Sequence, residues 1–310
     1  MKYKDWLILW LNNVIKPSVK SRTFARYKEI IGGHIVPELG EYELFDLTPF
    51  VLQKFVAELL QCGNLVTGKG LSVNTVNTIV TVVRNSLKSA ADWGELSENS
   101  ADKIRRPKKT EKEIGCFSVA EQKNIEREIF KRNKDKFFGI LLCLYTGLRI
   151  GELLALIWKD VDFASGVISV TKSCHYGIGE NGKFGRCTEL PKTFKSRRVI
   201  PIPKQILPFM RAVKSRSASE YVIANGNKPV SVRSFQRSFT LLLQRLNIPH
   251  RGFHALRHTF ATRALECGMD VKTLSEILGH KSASVTLNRY AHSFLGHKRE
   301  MMNKVGKLLQ

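Results

Sequence analysis

Six polar side chains with chemistry suited to a phosphodiester occur between residues 149 and 290 of the sequence. They are two guanidinium groups, one amine, two imidazoles and one phenol, carried by Arg149, Lys192, His254, Arg257, His280 and Tyr290. A guanidinium grips a phosphate through two parallel hydrogen bonds, an imidazole moves or holds a proton, and a phenol can act as a nucleophile. This set predicts nucleophilic attack on a phosphodiester without a metal ion.

The last four of these residues must be positioned by one C-terminal helical stretch. His254 and Arg257 are three residues apart, so on a helix they share one face, which we expect to be exposed. Leu256, Phe260 and Ala261 turn inward on the same helix. One face is thus predicted to pack, and the other to present an imidazole and a guanidinium.

Two glycines predict where the helices of this stretch end. Gly268 is placed to end the His254 helix in a left-handed conformation. Residues 271–278 then predict a second short amphipathic helix, which Gly279 ends just before His280.

Arg149 and Lys192 must come from elements upstream. The motif Thr-Gly-Leu-Arg-x-Gly-Glu puts Arg149 at a turn between two apolar helices, where Glu152 is a possible structural partner. Lys192 follows a predicted strand and is a candidate acid for the leaving oxygen. Lys195 is nearby and remains an alternative.

In this order, the six residues resemble the tyrosine recombinase (phage integrase) family, and the similarity covers nearly the whole chain. The segment Lys-Thr-x-x-Ser-Arg-Arg-x-Ile-Pro at 192–201 is most similar to integrases of phages or conjugative transposons. The resemblance implies a site-specific recombinase that integrates or excises a mobile element through a 3′-phosphotyrosyl intermediate. Many such integrases carry an arm-binding domain before the first tryptophan-containing helix, and the sequence leaves open whether one was removed here.

The resemblance also implies a role for each residue. Tyr290 attacks phosphorus, Arg149 and Arg257 neutralise the non-bridging oxygens, Lys192 protonates the 5′ leaving oxygen, His254 takes or holds the tyrosine proton, and His280 donates to a phosphate oxygen. Because one ester is exchanged for another, neither a cofactor nor a metal is expected.

The expected partner is double-stranded DNA at specific recombination sites. The resemblance implies a homo-tetramer on paired sites, a monomer in solution, and an accessory DNA-bending or excision factor as a further partner. The tail, residues 294–309, has the apolar spacing of an amphipathic helix that could pass to a neighbouring subunit. Two alternatives are a type IB topoisomerase, disfavoured by the small size and this tail, and a non-catalytic DNA-binding regulator, disfavoured by the six retained residues.

Composition favours the same class of partner. Lys and Arg number 50 against 27 acidic residues, giving a formal charge of +23 that is spread along the 310-residue chain. An anionic membrane could attract this charge, but no apolar run is long enough to span a bilayer and the start is not signal-like. Six cysteines without a C-x-x-C pair favour a reducing environment, the bacterial cytoplasm.

The predicted fold is mainly α with a small antiparallel β-sheet (α+β). Helices at 5–15, 23–31, 49–60 and 73–93 predict an N-terminal bundle, which the resemblance makes the core-binding domain, residues 1–103. The first helix is predicted to end before Pro17, and Thr48 and Ser72 are predicted to be the N-caps of the third and fourth helices. A basic linker follows at 104–115, and the catalytic domain occupies 116–310. Ser118 and Glu121 are predicted to form a capping box that opens this domain.

Three strands are predicted in the catalytic domain. Strands at 167–171, 186–190 and 197–202 are expected to form one small sheet. A glycine-rich loop at 176–186 is either a flexible connection or a basic finger that touches DNA.

Two motifs suggest other chemistry. Residues 63–70 are one residue from a phosphate-binding P-loop, but Gly70 replaces the magnesium-binding Ser or Thr and a helix is predicted before the loop. His254 and His258 have the spacing of a zinc pair, but Ala255 stands where the catalytic glutamate of H-E-x-x-H would be. Nucleotide binding and zinc are therefore disfavoured.

Overall fold

The computed structural model of the chain describes residues 1–108, 115–132, 135–178, 184–189, 197–290, 299, 302–303 and 305–307. The chain divides into two compact units, Met1–Lys112 and Glu113–Gln310. Each unit has its own cluster of buried apolar side chains, which is the core that a separate domain requires. No described helix is long and apolar enough to cross a bilayer.

The first unit is helical. Its helices are α1 (Tyr3–Trp10), α2 (Lys16–Ser18), α3 (Ser21–Ile30), α4 (Val36–Leu39), α5 (Pro49–Cys62) and α6 (Val73–Asp92). A π-helical turn, Leu11–Ile15, joins α1 to α2, and a second, Ile31–Ile35, joins α3 to α4. The predicted end before Pro17 is therefore wrong. Helical backbone continues through Pro17 in α2, and the wider π-helical turn directly before it replaces the i→i−4 bonding that a proline interrupts.

The two predicted N-caps of this unit are confirmed. The Thr48 hydroxyl accepts a hydrogen bond from the backbone N–H of Val51 (3.4 Å), and the Ser72 hydroxyl accepts one from Thr75 (3.2 Å). Each cap satisfies one of the backbone donors that the start of a helix leaves unpaired. The P-loop-like segment 63–70 follows α5, a helix, as the sequence predicted.

Three aromatic rings of α1 anchor it to α6. The Tyr3 hydroxyl lies 2.6 Å from the Ser86 hydroxyl, and the Trp6 Nε1–H donates to the Ser86 carbonyl at 3.1 Å. The Trp10 Nε1–H donates to the Ser89 hydroxyl at 2.9 Å. All three rings are buried, and each polar ring atom has a partner, so their burial leaves no donor unpaired.

The second unit begins with a confirmed capping box and is mainly helical. The Ser118 hydroxyl accepts from the Glu121 N–H (3.1 Å), while the Glu121 carboxylate accepts from the Ser118 N–H (2.7 Å). Its helices are α7 (Val119–Arg132), α8 (Asp135–Thr146), α9 (Ile150–Ala155), α10 (Leu207–Arg216), α11 (Val232–Arg245), α12 (His254–Glu266), α13 (Val271–Leu278) and α14 (Ala283–Tyr290). Its strands are β1 (Val161–Asp162), β2 (Val167–Val170), β3 (Ser173–Ile178), β4 (Phe184–Glu189), β5 (Arg198–Pro201), β6 (Ala224–Asn225) and β7 (Lys228–Pro229).

The strands form three small antiparallel sheets instead of the one predicted. β2 pairs with β1 and β5, while β3 pairs with β4 in a separate hairpin and β6 pairs with β7. The predicted strand near 186–190 therefore belongs to β4 and not to the sheet of β2. Part of the predicted loop at 176–186 is also strand, because Gly177 pairs with Gly185 across the hairpin. Glycines have a low preference for strands, so this segment did not resemble a strand in the sequence. In the structure, pairing with the facing strand stabilises it. Residues 179–183 lie outside the described residues, so the basic finger remains a prediction.

Replacing Ser86 by alanine should lower the free energy of unfolding of the first unit by about 1–3 kcal/mol, because the buried Tyr3 hydroxyl loses its partner. Adding Tyr3→Phe should recover part of this loss, since it removes the unpaired hydroxyl. Urea unfolding followed by tryptophan fluorescence measures both variants, since Trp6, Trp10 and Trp93 belong to this unit. A double variant less stable than Ser86→Ala alone would contradict the expectation.

Candidate active site

Arg149 lies at a tight turn between α8 and α9. Gly147 in this turn has a left-handed φ of +64°, and a Cβ there would lie 2.6 Å from the Phe260 ring and 2.7 Å from Leu278 Cδ2. Both the backbone conformation and the space therefore require glycine. Arg149 follows in an extended conformation as the N-cap of α9, and its N–H donates to the Glu152 carboxylate at 2.9 Å.

His254 and Arg257 both lie near the start of α12, but only His254 is exposed. Arg257 is 2% exposed. Its Nη1 donates to the Gly147 carbonyl (2.8 Å) and its Nη2 to the Leu278 carbonyl (2.7 Å). The expectation of one exposed face is therefore wrong for Arg257, because backbone carbonyls replace water around its guanidinium.

Three arginines converge on the C-terminal end of α13. The bonds run from Arg198 Nε to the Ile277 oxygen (2.5 Å), from Arg257 Nη2 to the Leu278 oxygen (2.7 Å) and from Arg149 Nη2 to the Gly279 oxygen (3.2 Å). The last carbonyls of a helix lack intrahelical partners and carry partial negative charge, so they attract cations. The three guanidinium groups therefore fix the backbone just before His280.

His280 follows the predicted glycine stop and is oriented by α14. Gly279 has a left-handed φ of +64°, which confirms its role as the end of α13. The His280 Nδ1 atom lies 2.7 Å from the hydroxyl of Thr286, which is fully buried. This hydrogen bond orients the imidazole relative to the end of α13.

The Glu152 carboxylate lies between two of the arginines. Its Oε1 accepts from Arg149 Nη1 (2.8 Å) and Arg198 Nη1 (3.0 Å), and its Oε2 accepts from Arg198 Nη2 (2.8 Å). Burial by itself would raise the pKa of this carboxyl, but the hydrogen bond and charge of Arg198, with the charge of Arg149, hold the pKa at about 2. Glu152 is therefore ionised at neutral pH, and the Arg149–Glu152–Arg198 cluster keeps one net positive charge.

The structure describes the backbone of Tyr290 but not its side chain, and it does not describe Lys192. Tyr290 is the last residue of α14, four residues or about one helical turn after Thr286, and its side chain lies outside the described part. Lys192 and the alternative Lys195 also lie outside the described residues. Their assignments remain predictions.

The histidine pair that suggested zinc packs ring against ring. The ring centroids of His254 and His258 are 4.6 Å apart with the planes nearly perpendicular, and His258 is buried. Among the described residues, no three His, Cys, Asp or Glu side chains form a group able to hold a metal ion. The described part of the chain therefore gives the zinc hypothesis no ligand set.

Sequence reasoning missed two residues that organise this site, Arg198 and Thr286. Arg198 has a signal, because it lies two residues before the buried Ile200 on β5 and so shares its inward face. This signal is ambiguous, because Val199 is as apolar as Ile200 and the sequence does not show which of the two faces inward. The structure shows that the neighbouring Arg197 is exposed. Thr286 has no comparable signal, since its importance comes from a contact with His280.

The chain was compared with known protein families. Residues 121–297 match the phage integrase family, and residues 2–60 match the N-terminal SAM-like domain of phage integrases. The first match alone covers more than half of the chain and contains all six predicted site residues. The chain therefore belongs to the phage integrase family and is a tyrosine recombinase, an enzyme that cleaves and rejoins DNA strands.

Similar proteins include recombinases and integrases. A tyrosine recombinase XerC-like protein of Caldanaerobacter subterraneus subsp. tengcongensis is 30% identical, over 93% of this chain and 78% of the relative. The ICEBs1 integrase of Bacillus subtilis is 27% identical, over 94% of this chain and 79% of the relative. A structure of the Tn1549 transposon integrase with a circular intermediate DNA has a TM-score of 0.82 at 23% identity, covering 98% of this chain and 99% of that chain. This similarity supports the fold of the present chain, which is mainly α with small antiparallel sheets.

Glu152 should make the free energy of unfolding of the second unit depend on pH in the acidic range. Its pKa in the folded chain, about 2, lies below the ordinary 4.5, so protonation favours the unfolded chain. Its contribution is complete above about pH 4.5 and is lost as the pH falls toward 2. Glu152→Gln should reduce the free energy of unfolding by about 3–5 kcal/mol at neutral pH, because it leaves buried Arg198 without an ionic partner.

Urea unfolding at a series of pH values, followed by circular dichroism, measures this dependence. The Glu152→Gln variant should lose stability less steeply between pH 4.5 and 2 than the unchanged protein. Parallel curves for the two proteins would show that Glu152 does not carry the effect.

Proposed function

We propose that this tyrosine recombinase integrates or excises a mobile element by cleaving specific DNA sites with Tyr290. The observation that carries the proposal is the convergence of Arg149, Arg257 and His280 at the C-terminal end of α13. Tyr290 lies at the end of the next helix, α14. Attack of its oxygen on phosphorus forms a 3′-phosphotyrosyl bond and releases a 5′ hydroxyl. Attack by a 5′ hydroxyl of another strand then breaks this phosphotyrosyl bond, joins the two DNA strands and releases the tyrosine, which completes the exchange of one strand.

The two arginines and His280 supply the electrostatic part of this reaction. A phosphodiester anion repels a nucleophile, and charge gathers on the non-bridging oxygens in the transition state. The Arg149 side chain is 38% exposed, so a phosphate can reach it, while buried Arg257 holds its positive charge beneath the same turn. Loss of one such group typically costs ~10²–10³ in rate. His280 donates to a phosphate oxygen from the ring orientation that Thr286 fixes.

Proton transfer is assigned to Lys192 and His254. Lys192 protonates the leaving 5′ oxygen, with Lys195 as the alternative, and His254 takes or holds the tyrosine proton. The exposed position of His254 at the start of α12 supports its role, since its ring can reach a bound substrate.

The first unit supplies much of the DNA-binding surface in this proposal. We divide the chain into a core-binding domain at 1–103, a basic linker at 104–115 and a catalytic domain at 116–310. A groove of about 470 Å³ in the first unit is lined by Asn74, Asn77, Thr78, Thr81, Arg106 and Pro107. Amide and hydroxyl groups of this kind can hydrogen-bond base edges, while an arginine can bind phosphate.

The tail residues support assembly on DNA. Met302 and Val305 are 68% and 51% exposed in the single chain, although both are apolar and lie in helical backbone. A neighbouring subunit would cover them, which fits a monomer in solution that forms a homo-tetramer on paired DNA sites. The same proposal places the protein in the bacterial cytoplasm, with an accessory DNA-bending or excision factor as a further partner.

Tyr290→Phe should abolish covalent capture of DNA and leave binding nearly unchanged, because only the nucleophilic oxygen is lost. Denaturing electrophoresis of protein incubated with recombination-site DNA measures the adduct, and a mobility shift measures binding. Capture by the unchanged protein should persist in a metal chelator. An adduct formed by Tyr290→Phe would show that another residue is the nucleophile, and sequencing of the trapped DNA identifies the site.

Deletion of residues 294–310 should leave a folded protein that binds single DNA sites but does not assemble two sites into one complex. The physical reason is that Met302 and Val305 are exposed in the single chain, so these apolar side chains are available to a neighbouring subunit. Circular dichroism, single-site mobility shifts and paired-site complex formation measure the three properties. An unfolded variant, or one that pairs sites like the intact chain, would refute the exchanged tail.

A further inference from the structure

We propose that Arg198 is a positioning residue for DNA cleavage, which balances the charge of Glu152 so that the cluster around Arg149 keeps a net positive charge toward the scissile phosphate. This inference rests on the proposed function, in which Arg149 binds that phosphate. The Arg198 side chain is only 6% exposed, so it acts through Glu152 and Arg149 and not by contact with DNA.

The geometry gives Arg198 a single well-defined position. Both of its terminal nitrogens bond the Glu152 carboxylate, at 3.0 and 2.8 Å, in the forked arrangement that a guanidinium favours. Its Nε–H donates to the Ile277 carbonyl at 2.5 Å. An added Cβ on Gly279 would lie 3.0 Å from Arg198 Nη1, so the guanidinium packs directly against the residue before His280. A lysine has the charge but not the fork.

The charge balance explains why two arginines share one carboxylate. Glu152 Oε1 accepts from both Arg149 and Arg198, so its negative charge is divided between two cations. Without Arg198, the buried carboxylate would face Arg149 as its guanidinium partner in this cluster. The pair would be neutral, and a phosphate at the 38% exposed Arg149 side chain would meet less positive potential.

The test compares single-turnover cleavage at saturating DNA for the full chain and four variants. Arg198→Met should form the covalent adduct about 10- to 100-fold more slowly, the usual range for loss of a group that supports a reacting residue, with DNA affinity nearly unchanged. Arg211→Met is the matched control. It removes one arginine charge and one arginine–carbonyl bond, to Phe163 at 3.1 Å, at an exposed position on α10, and should cleave at the normal rate.

The double variant Arg198→Met/Glu152→Gln separates charge from structural support. If Arg198 acts by balancing Glu152, removing that carboxylate charge should restore part of the lost cleavage rate. A purely structural role predicts no recovery, since a second buried bond is removed. A double variant no faster than Arg198→Met, or an Arg198→Met variant that cleaves normally, would overturn the proposal.

Arg198→Lys decides the question if Arg198→Met does not fold by circular dichroism. Lysine keeps the charge near Glu152, so the charge argument expects cleavage within about tenfold of the unchanged protein, which is a difference of 1.4 kcal/mol. Slower cleavage by folded Arg198→Lys, or loss of the fold in both variants, would overturn the proposal. Failure of the unchanged protein to form a covalent adduct with DNA would instead contradict the proposed function.

Discussion

The candidate active site depends on the hydrogen bonds that three arginines donate to three consecutive carbonyls at the end of α13. A helix of eight residues leaves its last carbonyls without partners, and burial without donors would be costly. Arg149, Arg198 and Arg257 come from different elements, so the end of α13 collects them at one place. His280 is the next residue in the chain, so these hydrogen bonds also fix the position of its backbone.

This arrangement concentrates like charges, and the fold offsets their repulsion in two ways. The helix C-terminus contributes partial negative charge, and Glu152 contributes a full one between Arg149 and Arg198. Burial disfavours ionised Glu152, but its arginine partners outweigh that penalty and keep its pKa at about 2. The compensation is incomplete, because two cations share one anion. A residual positive charge at an exposed arginine is what a phosphodiester requires.

The glycines of the Thr-Gly-Leu-Arg-x-Gly-Glu motif make the close approach of these elements possible. Gly147 fits against Phe260 and Leu278, which brings the turn to α12 and α13. Gly151 fits against β3, where a Cβ would lie 2.6 Å from the Ser173 hydroxyl and 2.7 Å from the Cys174 carbonyl. The motif is therefore both a carrier of Arg149 and a packing surface on two sides.

The sequence by itself determined the local features of this protein. The caps at Thr48, Ser72 and Ser118 and the glycine stop at Gly279 were predictable because each depends on residues within one turn. The ordered set of candidate site residues, which the phage integrase family match contains as a whole, was also visible, and the role of each remains a prediction. The ionic pair of Arg149 and Glu152 could be anticipated from their spacing of three.

The tertiary structure alone decided which of these side chains are buried and what they contact. Arg257 was expected on an exposed face, but the carbonyls of Gly147 and Leu278 are 110 and 21 residues away, and no local pattern reveals them. Arg198 and Arg197 were equivalent in the sequence until the register of β5 set one inward. The hairpin of β3 and β4 could not be predicted either. A strand that contains glycines depends on hydrogen bonds to its partner strand, and its own residues give only a weak signal. Hydrogen bonds between distant segments form only when the whole chain has packed.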